Sequence, residues 1–264
     1  MISLEGRAVL VTGGTRGLGR AIARSFAETG ATVWVTHRWG SVDEEVLAAD
    51  FARDELRPPV IAECDASDRS ATDALLARMA SAGEPLHAVI SNVAFAKLVR
   101  GLDDLTRRAF DLSVGYSAWP LVDLVQASHA AFGAYPRYVI GVSSDADRWV
   151  HDGYELVAAS KAVLESLCRY LAVRLRQDGV RVNAIAPGLV DSELLADTFG
   201  AQAAADLRAR GMMLDPARVA RVCVALASGW MDAVNGQTLV VDEGWSRVSP
   251  LALLAGGTGA WGAR

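Results

Sequence analysis

The chain has no apolar run long enough to cross a bilayer, so a place inside a membrane is not expected. No segment reads as a secretory leader, because residues 7–12 are already strand-like. Cysteine is scarce: Cys64, Cys168 and Cys223 form an odd, widely spaced set without metal-ligand spacing. They read as reduced structural thiols of a cytoplasmic protein, with no metal site. Positive charge is in deficit. A net charge of −5 gives no electrostatic reason to bind nucleic acid or anionic lipid. Internal repeats and domain linkers are absent as well. What remains is a chain of 264 residues, 52% of them hydrophobic, which argues against disorder and suits one domain with a full core.

Apolar runs at 7–12, 31–36, 60–64, 87–91, 137–143, 180–186 and 238–242 alternate with helical patterns. The helices are expected to about residue 29, near 42–56, near 68–80, within 103–131, after 143 and in pieces across 192–228. Short strands that are apolar on both sides and separated by helices predict an α/β fold. The expected form is a Rossmann-type, doubly wound, seven-stranded parallel sheet in three layers, as a single domain. Residues 1–247 are assigned to that domain. The glycine-containing stretch 248–264 is assigned to a flexible or docking tail.

A glycine turn, TGGTRGLG (12–19), joins the first strand to its helix. Gly13, Thr15, Arg16, Gly17, Leu18 and Gly19 allow a pyrophosphate to approach backbone N–H groups at a helix N-terminus. The spacing is G-x-x-x-G-x-G rather than G-x-G-x-x-G. An acidic residue that would hold an unphosphorylated ribose is lacking at the end of the second strand, where His37 and Arg38 stand. Arg16 and Arg38 suit a 2′-phosphate, so NADPH is expected ahead of NADH; a solvated Arg38 is the plainer alternative.

Residues 143–170 hold the expected chemistry. In a helix, the seven-residue step from Tyr154 to Lys161 rotates to within roughly 20° of two full turns, so both can face one cleft. An ammonium beside a phenol lowers the phenol's pKa, which makes Tyr154 a usable proton donor. Two partly exposed residues on an ordinary helix remain the bland alternative.

These stretches resemble the short-chain dehydrogenase/reductase family along nearly the whole chain. The glycine turn, CDASD (64–68), SNVA (91–94), APG (186–188) and VDEG (241–244) carry the likeness. The resemblance implies cofactor contacts at Asp65, Ala66, Asn92, Val93, Ala94, Lys161, Pro187, Gly188 and Val190. It also implies a substrate-polarising Ser144 and a homodimer or homotetramer built on two long helices. Two departures stand out: Val157 occupies the place of the usual Tyr-x-x-x-Lys tyrosine, and Ser117 that of an asparagine. Both are similar to the enoyl-[acyl-carrier-protein] reductase branch. In enoyl thioester reduction the charge develops on an oxygen two bonds beyond the carbon that takes hydride. A hydroxyl set back by one turn could meet that oxygen.

Phe95, Tyr116, Trp149 and Phe199 are candidates for an apolar substrate wall, with Trp119 and residues 212–214 as further possibilities. His151 is an alternative acid. Residues 192–214 are expected to form a substrate lid. Arg208, Arg210, Arg218 and Arg221 flank it as a docking patch for an acidic carrier or as a solvated face. The expected activity is NADPH-dependent reduction of a small-molecule or carrier-bound enoyl thioester. A carbonyl reductase and a non-catalytic NADP-binding sensor or scaffold are the alternatives.

Overall fold

A computed structural model describes residues 2–38, 43–95, 97–147 and 149–248, so the expected tail lies outside the described residues from 249 onwards. Strands β1 (Ala8–Val11), β2 (Thr32–His37), β3 (Val60–Glu63), β4 (Leu86–Ser91), β5 (Tyr138–Val142), β6 (Arg181–Pro187) and β7 (Thr238–Val241) form one sheet. Its order is β3-β2-β1-β4-β5-β6-β7, and every neighbouring pair runs parallel.

The helices are α1 (Gly17–Ala27), α2 (Glu44–Arg53), α3 (Arg69–Ser81), α4 (Arg107–Ser117), α5 (Pro120–Phe132), α6 (Glu155–Arg174), α7 (Glu193–Phe199), α8 (Ala201–Ala209) and α9 (Pro216–Leu226). Alternation along β1 shows why both faces are covered. Val9 and Val11 pack with Ile22 and Phe26 of α1 and Ala220 of α9. Ala8 and Leu10 point the other way, toward Leu75 and Leu76 of α3 and Leu124 of α5. Asp43, Asp68, Thr106 and Asp215 accept backbone N–H bonds at the starts of α2, α3, α4 and α9.

The single long helix expected within 103–131 is two helices. Pro120 has no N–H to give, and its ring excludes an uninterrupted helical path. Ala118 and Trp119 therefore both donate to the Val114 carbonyl, and α5 starts afresh at the proline. Among the described residues no helix is long and apolar enough to cross a membrane.

Consecutive strands wind outward in opposite directions from β1 and β4, which leaves a crevice at their C-terminal ends. Asn92, just past β4, ties the two together: its Nδ2 donates to the Thr12 and Gly13 carbonyls at 3.0 and 3.3 Å, and its N–H reaches Thr12 Oγ1 at 3.0 Å. Gly19 makes this possible. A Cβ there would stand 2.1 Å from the Gly13 carbonyl oxygen and 2.7 Å from Asn92 Nδ2. Gly19→Ala is expected to destabilise the fold by about 3 kcal/mol and to lower the thermal midpoint by roughly 5–10 °C, as read by circular dichroism.

Candidate active site

A cavity of about 490 Å³ occupies that crevice. The glycine-turn residues Gly13, Thr15, Arg16, Gly17, Leu18 and Gly19 line it, as do His37 and Arg38 at the end of β2. So do Asp65 and Ala66 after β3, Asn92, Val93 and Ala94 after β4, Lys161 of α6, and Pro187, Gly188 and Val190 from the end of β6 onward. The topology thus brings every residue expected at a cofactor into one place.

On the β2–β3 side, Arg38 Nε lies 2.9 Å from Asp65 Oδ2, and its guanidinium stands 4.9 Å over the Tyr116 ring. The Tyr116 hydroxyl donates to Asp65 Oδ2 at 3.3 Å. His37 is 8% exposed, and its Nδ1 is buried without a hydrogen-bond partner among the described residues. A buried polar atom left unpaired costs free energy unless a ligand meets it. Its position beside Arg38 fits the polar ribose end of a dinucleotide. Arg16, exposed at the start of α1, stands on the same wall.

On the β5–α6 side, Tyr154, Lys161, Ser144, Asp145, His151 and Val157 line the cavity together. Tyr154 occupies the N-cap of α6, so the helix begins one residue after it. Its carbonyl already accepts from the Ala158 N–H, which keeps the expected relation to Lys161. The electrostatics differ from expectation. Burial pushes the phenol's pKa above its ordinary value, and the Asp145 carboxylate pushes it further up. The buried ammonium of Lys161 donates to the Val142 carbonyl at 2.7 Å. Burial brings the lysine down to about 8. Ser144 caps the short 3₁₀ turn after β5: its Oγ accepts from the Ala146 N–H at 3.3 Å and donates to Asp145 Oδ1 at 3.4 Å. Beneath it, Ser143 Oγ donates to the buried Glu165 at 2.6 Å, and Thr238 Oγ1 donates to the other carboxylate oxygen at 3.1 Å.

The expected substrate wall is revised. Phe95 lines the cavity with its ring 5.9 Å from that of Tyr116. Tyr116 belongs with Arg38 and Asp65, because its hydroxyl finds its acceptor there. Trp149 is 46% exposed and outside the lining. Phe199 ends α7, and its side chain lies outside the described residues. Leu214 is buried in the core against Val190 rather than in the cavity wall. Ser117 is also structural, since its Oγ accepts from the Phe95 N–H at 3.0 Å. Sequence reasoning overlooked Asp145, Glu193, Leu195 and Thr198. For Asp145 a signal existed: an acid placed directly after Ser144 and six residues before His151.

The segment expected to form a lid leaves and returns at one point. Val190 bridges to Leu214, the Leu214 N–H donates to the Leu189 carbonyl at 2.7 Å, and the Asp191 N–H donates to the Leu214 carbonyl at 2.9 Å. Arg208 clasps Asp191 bidentately at 2.6 and 3.1 Å, and Arg218 pairs with Glu243 at 2.6 Å. Two of the four arginines read as a docking patch are thus engaged within the chain.

A family model described as "Enoyl-(Acyl carrier protein) reductase" matches residues 13–246. The NADP-dependent (R)-specific alcohol dehydrogenase of Lentilactobacillus kefiri is 29% identical, over 92% of this chain and 98% of its own. The 1-cyclohexenylcarbonyl-CoA reductase of Streptomyces collinus is 28% identical, over 91% and 87%. Bacillus cereus enoyl-acyl carrier protein reductase, solved with NADP+ and indole naphthyridinone, superposes with a TM-score of 0.81 over 94% of this chain and 100% of its own. At 24% identity that likeness concerns the fold.

Burial of Lys161 has a consequence for stability. With its pKa brought from 10.5 to about 8, the unfolded chain holds a proton between those values that the folded chain does not. Stability therefore rises with pH across that window, and the penalty of the buried charge is complete below it. Urea unfolding at pH 7.5 and 9.5 is expected to show this rise in the native protein and a smaller one in Lys161→Met.

Proposed function

The chain belongs to the short-chain dehydrogenase/reductase family of oxidoreductases, and from that premise we propose that it is an NADPH-dependent reductase of the C=C bond in an enoyl thioester, free or carrier-bound. The observation that carries this reading is the position of the phenol. Val157 fills the cavity wall where the family's usual tyrosine would stand, and Tyr154 enters the same cavity about one turn earlier. Once bound, the dihydronicotinamide supplies the hydride that adds to Cβ. Arg16 and Arg38 would meet its 2′-phosphate, and the glycine turn would meet its pyrophosphate. Tyr154 donates a hydrogen bond to the thioester oxygen as charge gathers there. Its raised pKa suits that task, because the phenol stays protonated at neutral pH. Lys161, fixed on the Val142 carbonyl, holds the ribose side of the site.

The description of the matching family model and the name of the Streptomyces relative support the double-bond reading. A second reading, carbonyl reduction, is favoured by Ser144, which lines the cavity beside Tyr154, and by the name of the Lentilactobacillus relative. We also place the pairing surface of a homodimer or homotetramer on the outer faces of α4 and α6, where Leu112, Tyr170 and Val173 are exposed.

NADPH absorbance with a crotonyl thioester and then an acetoacetyl thioester separates the two readings. Consumption with the first alone is expected; consumption with the second alone establishes the carbonyl reading instead. Tyr154→Phe is expected to lower kcat by about 10²–10³-fold on the accepted substrate, the loss typical of one oxyanion donor. Arg38→Ala is expected to raise the KM for NADPH by about 10–100-fold, the worth of a charge-assisted hydrogen bond, while leaving NADH use nearly unchanged.

A further inference from the structure

The loop between β5 and α6 carries an acid that this reading does not yet use. Asp145 opens the 3₁₀ turn directly after Ser144, and its Oδ1 lies 3.6 Å from His151 Nε2, at ion-pair distance. The His151 ring stands edge-on to Tyr154, with centroids 5.9 Å apart and planes at 86°. Asp145, His151 and Tyr154 all line the cavity, and the first two side chains are only 16% and 28% exposed.

The loop is built to hold this arrangement. The Trp149 N–H donates to the Asp145 carbonyl at 3.0 Å, and the Tyr154 N–H donates to the His151 carbonyl at 3.1 Å. The Gly153 carbonyl accepts from the Val99 N–H at 2.8 Å. Gly153 has φ +74°, and a Cβ there would meet the Val99 carbonyl oxygen at 2.7 Å, so only glycine allows this closure.

We propose that His151, paired with Asp145, delivers the proton that completes reduction, while Tyr154 binds the oxygen on which charge develops. The inference rests on the reductase reading above and concerns the same cavity. After hydride addition from NADPH to Cβ, the enolate carries the electron pair. The imidazolium N–H bond breaks, a C–H bond forms at Cα, and neutral His151 regains its proton from solvent. Asp145 holds the ring in place throughout. The net change is one NADPH and one proton consumed per double bond.

The electrostatics favour this division of labour. Asp145 holds the imidazole's pKa above its ordinary value of 6.5, against the effect of burial. Burial, and then the same carboxylate, raises the phenol's pKa as well, further from neutrality. A donor acts best when its pKa lies near the working pH, which selects the imidazole. Among the described residues Asp145 is the ionisable group at ion-pair distance from His151. Tyr154 stands edge-on to it, Lys161 and Glu193 line the same cavity from α6 and α7, and Asp152 beside it in the chain is exposed.

Two measurements on the NADPH-bound protein test the proposal. In the first, the protein carries ¹³C-labelled histidine, and His151→Gln identifies the His151 signal in an NMR titration. The signal should titrate above the ordinary histidine value and move down in Asp145→Asn. In the second, kcat/KM is followed against pH on whichever thioester is reduced. It should fall as pH rises through the His151 transition, and Asp145→Asn should shift that limb to lower pH. His151→Gln should lower kcat by about 10²–10⁴-fold with NADPH affinity unchanged within twofold. Retention of kcat within threefold in His151→Gln, or a His151 titration indifferent to Asp145→Asn, would overturn the proposal. Absence of turnover on either thioester by the native protein would instead remove the reductase reading, and the NMR titration would still decide whether the dyad exists.

Discussion

The site exists because the ends of β1 and β4 are clamped to each other while the connections after them wind in opposite directions. Asn92 closes that clamp with its amide and backbone N–H on Thr12 and Gly13, and Gly19 lets the first turn of α1 pass close enough to leave the clamp intact. Parallel strands place all their C-terminal ends on one side. Residues separated by more than 170 positions, from Gly13 to Pro187, therefore face a single cavity. No local sequence preference could bring them there.

Inside that cavity, burial and charge decide the chemistry. The Lys161 ammonium is held by the Val142 carbonyl and is desolvated. Burial, and then the charge of Asp145, raise the pKa of Tyr154. The carboxylate thus opposes ionisation of the phenol and favours protonation of His151, so two neighbouring groups are driven toward different tasks. Glu165, buried behind them, is held by Ser143 and Thr238. It anchors the turn from which Ser144 and Asp145 project, linking β5, α6 and β7.

The segment over the cavity is organised with equal economy. Its two ends are stitched together by Val190, Asp191 and Leu214, and Arg208 locks α8 back onto Asp191. Leu195 and Thr198 of α7 thereby reach the cavity beyond the half-buried connection that follows β6. Charge that looks available for a partner in the linear sequence is partly spent on these internal pairs.

The sequence by itself determined the strand order's raw material: seven apolar runs between helices, a glycine turn after the first, and a tyrosine and lysine at helical spacing. Such features are local, and local periodicity survives in any context that buries it. Pro120 was visible too, and the break between α4 and α5 follows from its chemistry. Only the tertiary structure decided which charges meet. The direction of the Tyr154 shift, the removal of Tyr116 to the side of Arg38, the exposure of Trp149 and the pairing of Asp145 with His151 all depend on distances across loops. Desolvation and Coulomb energy are set by those distances and by depth, which a linear spacing does not contain.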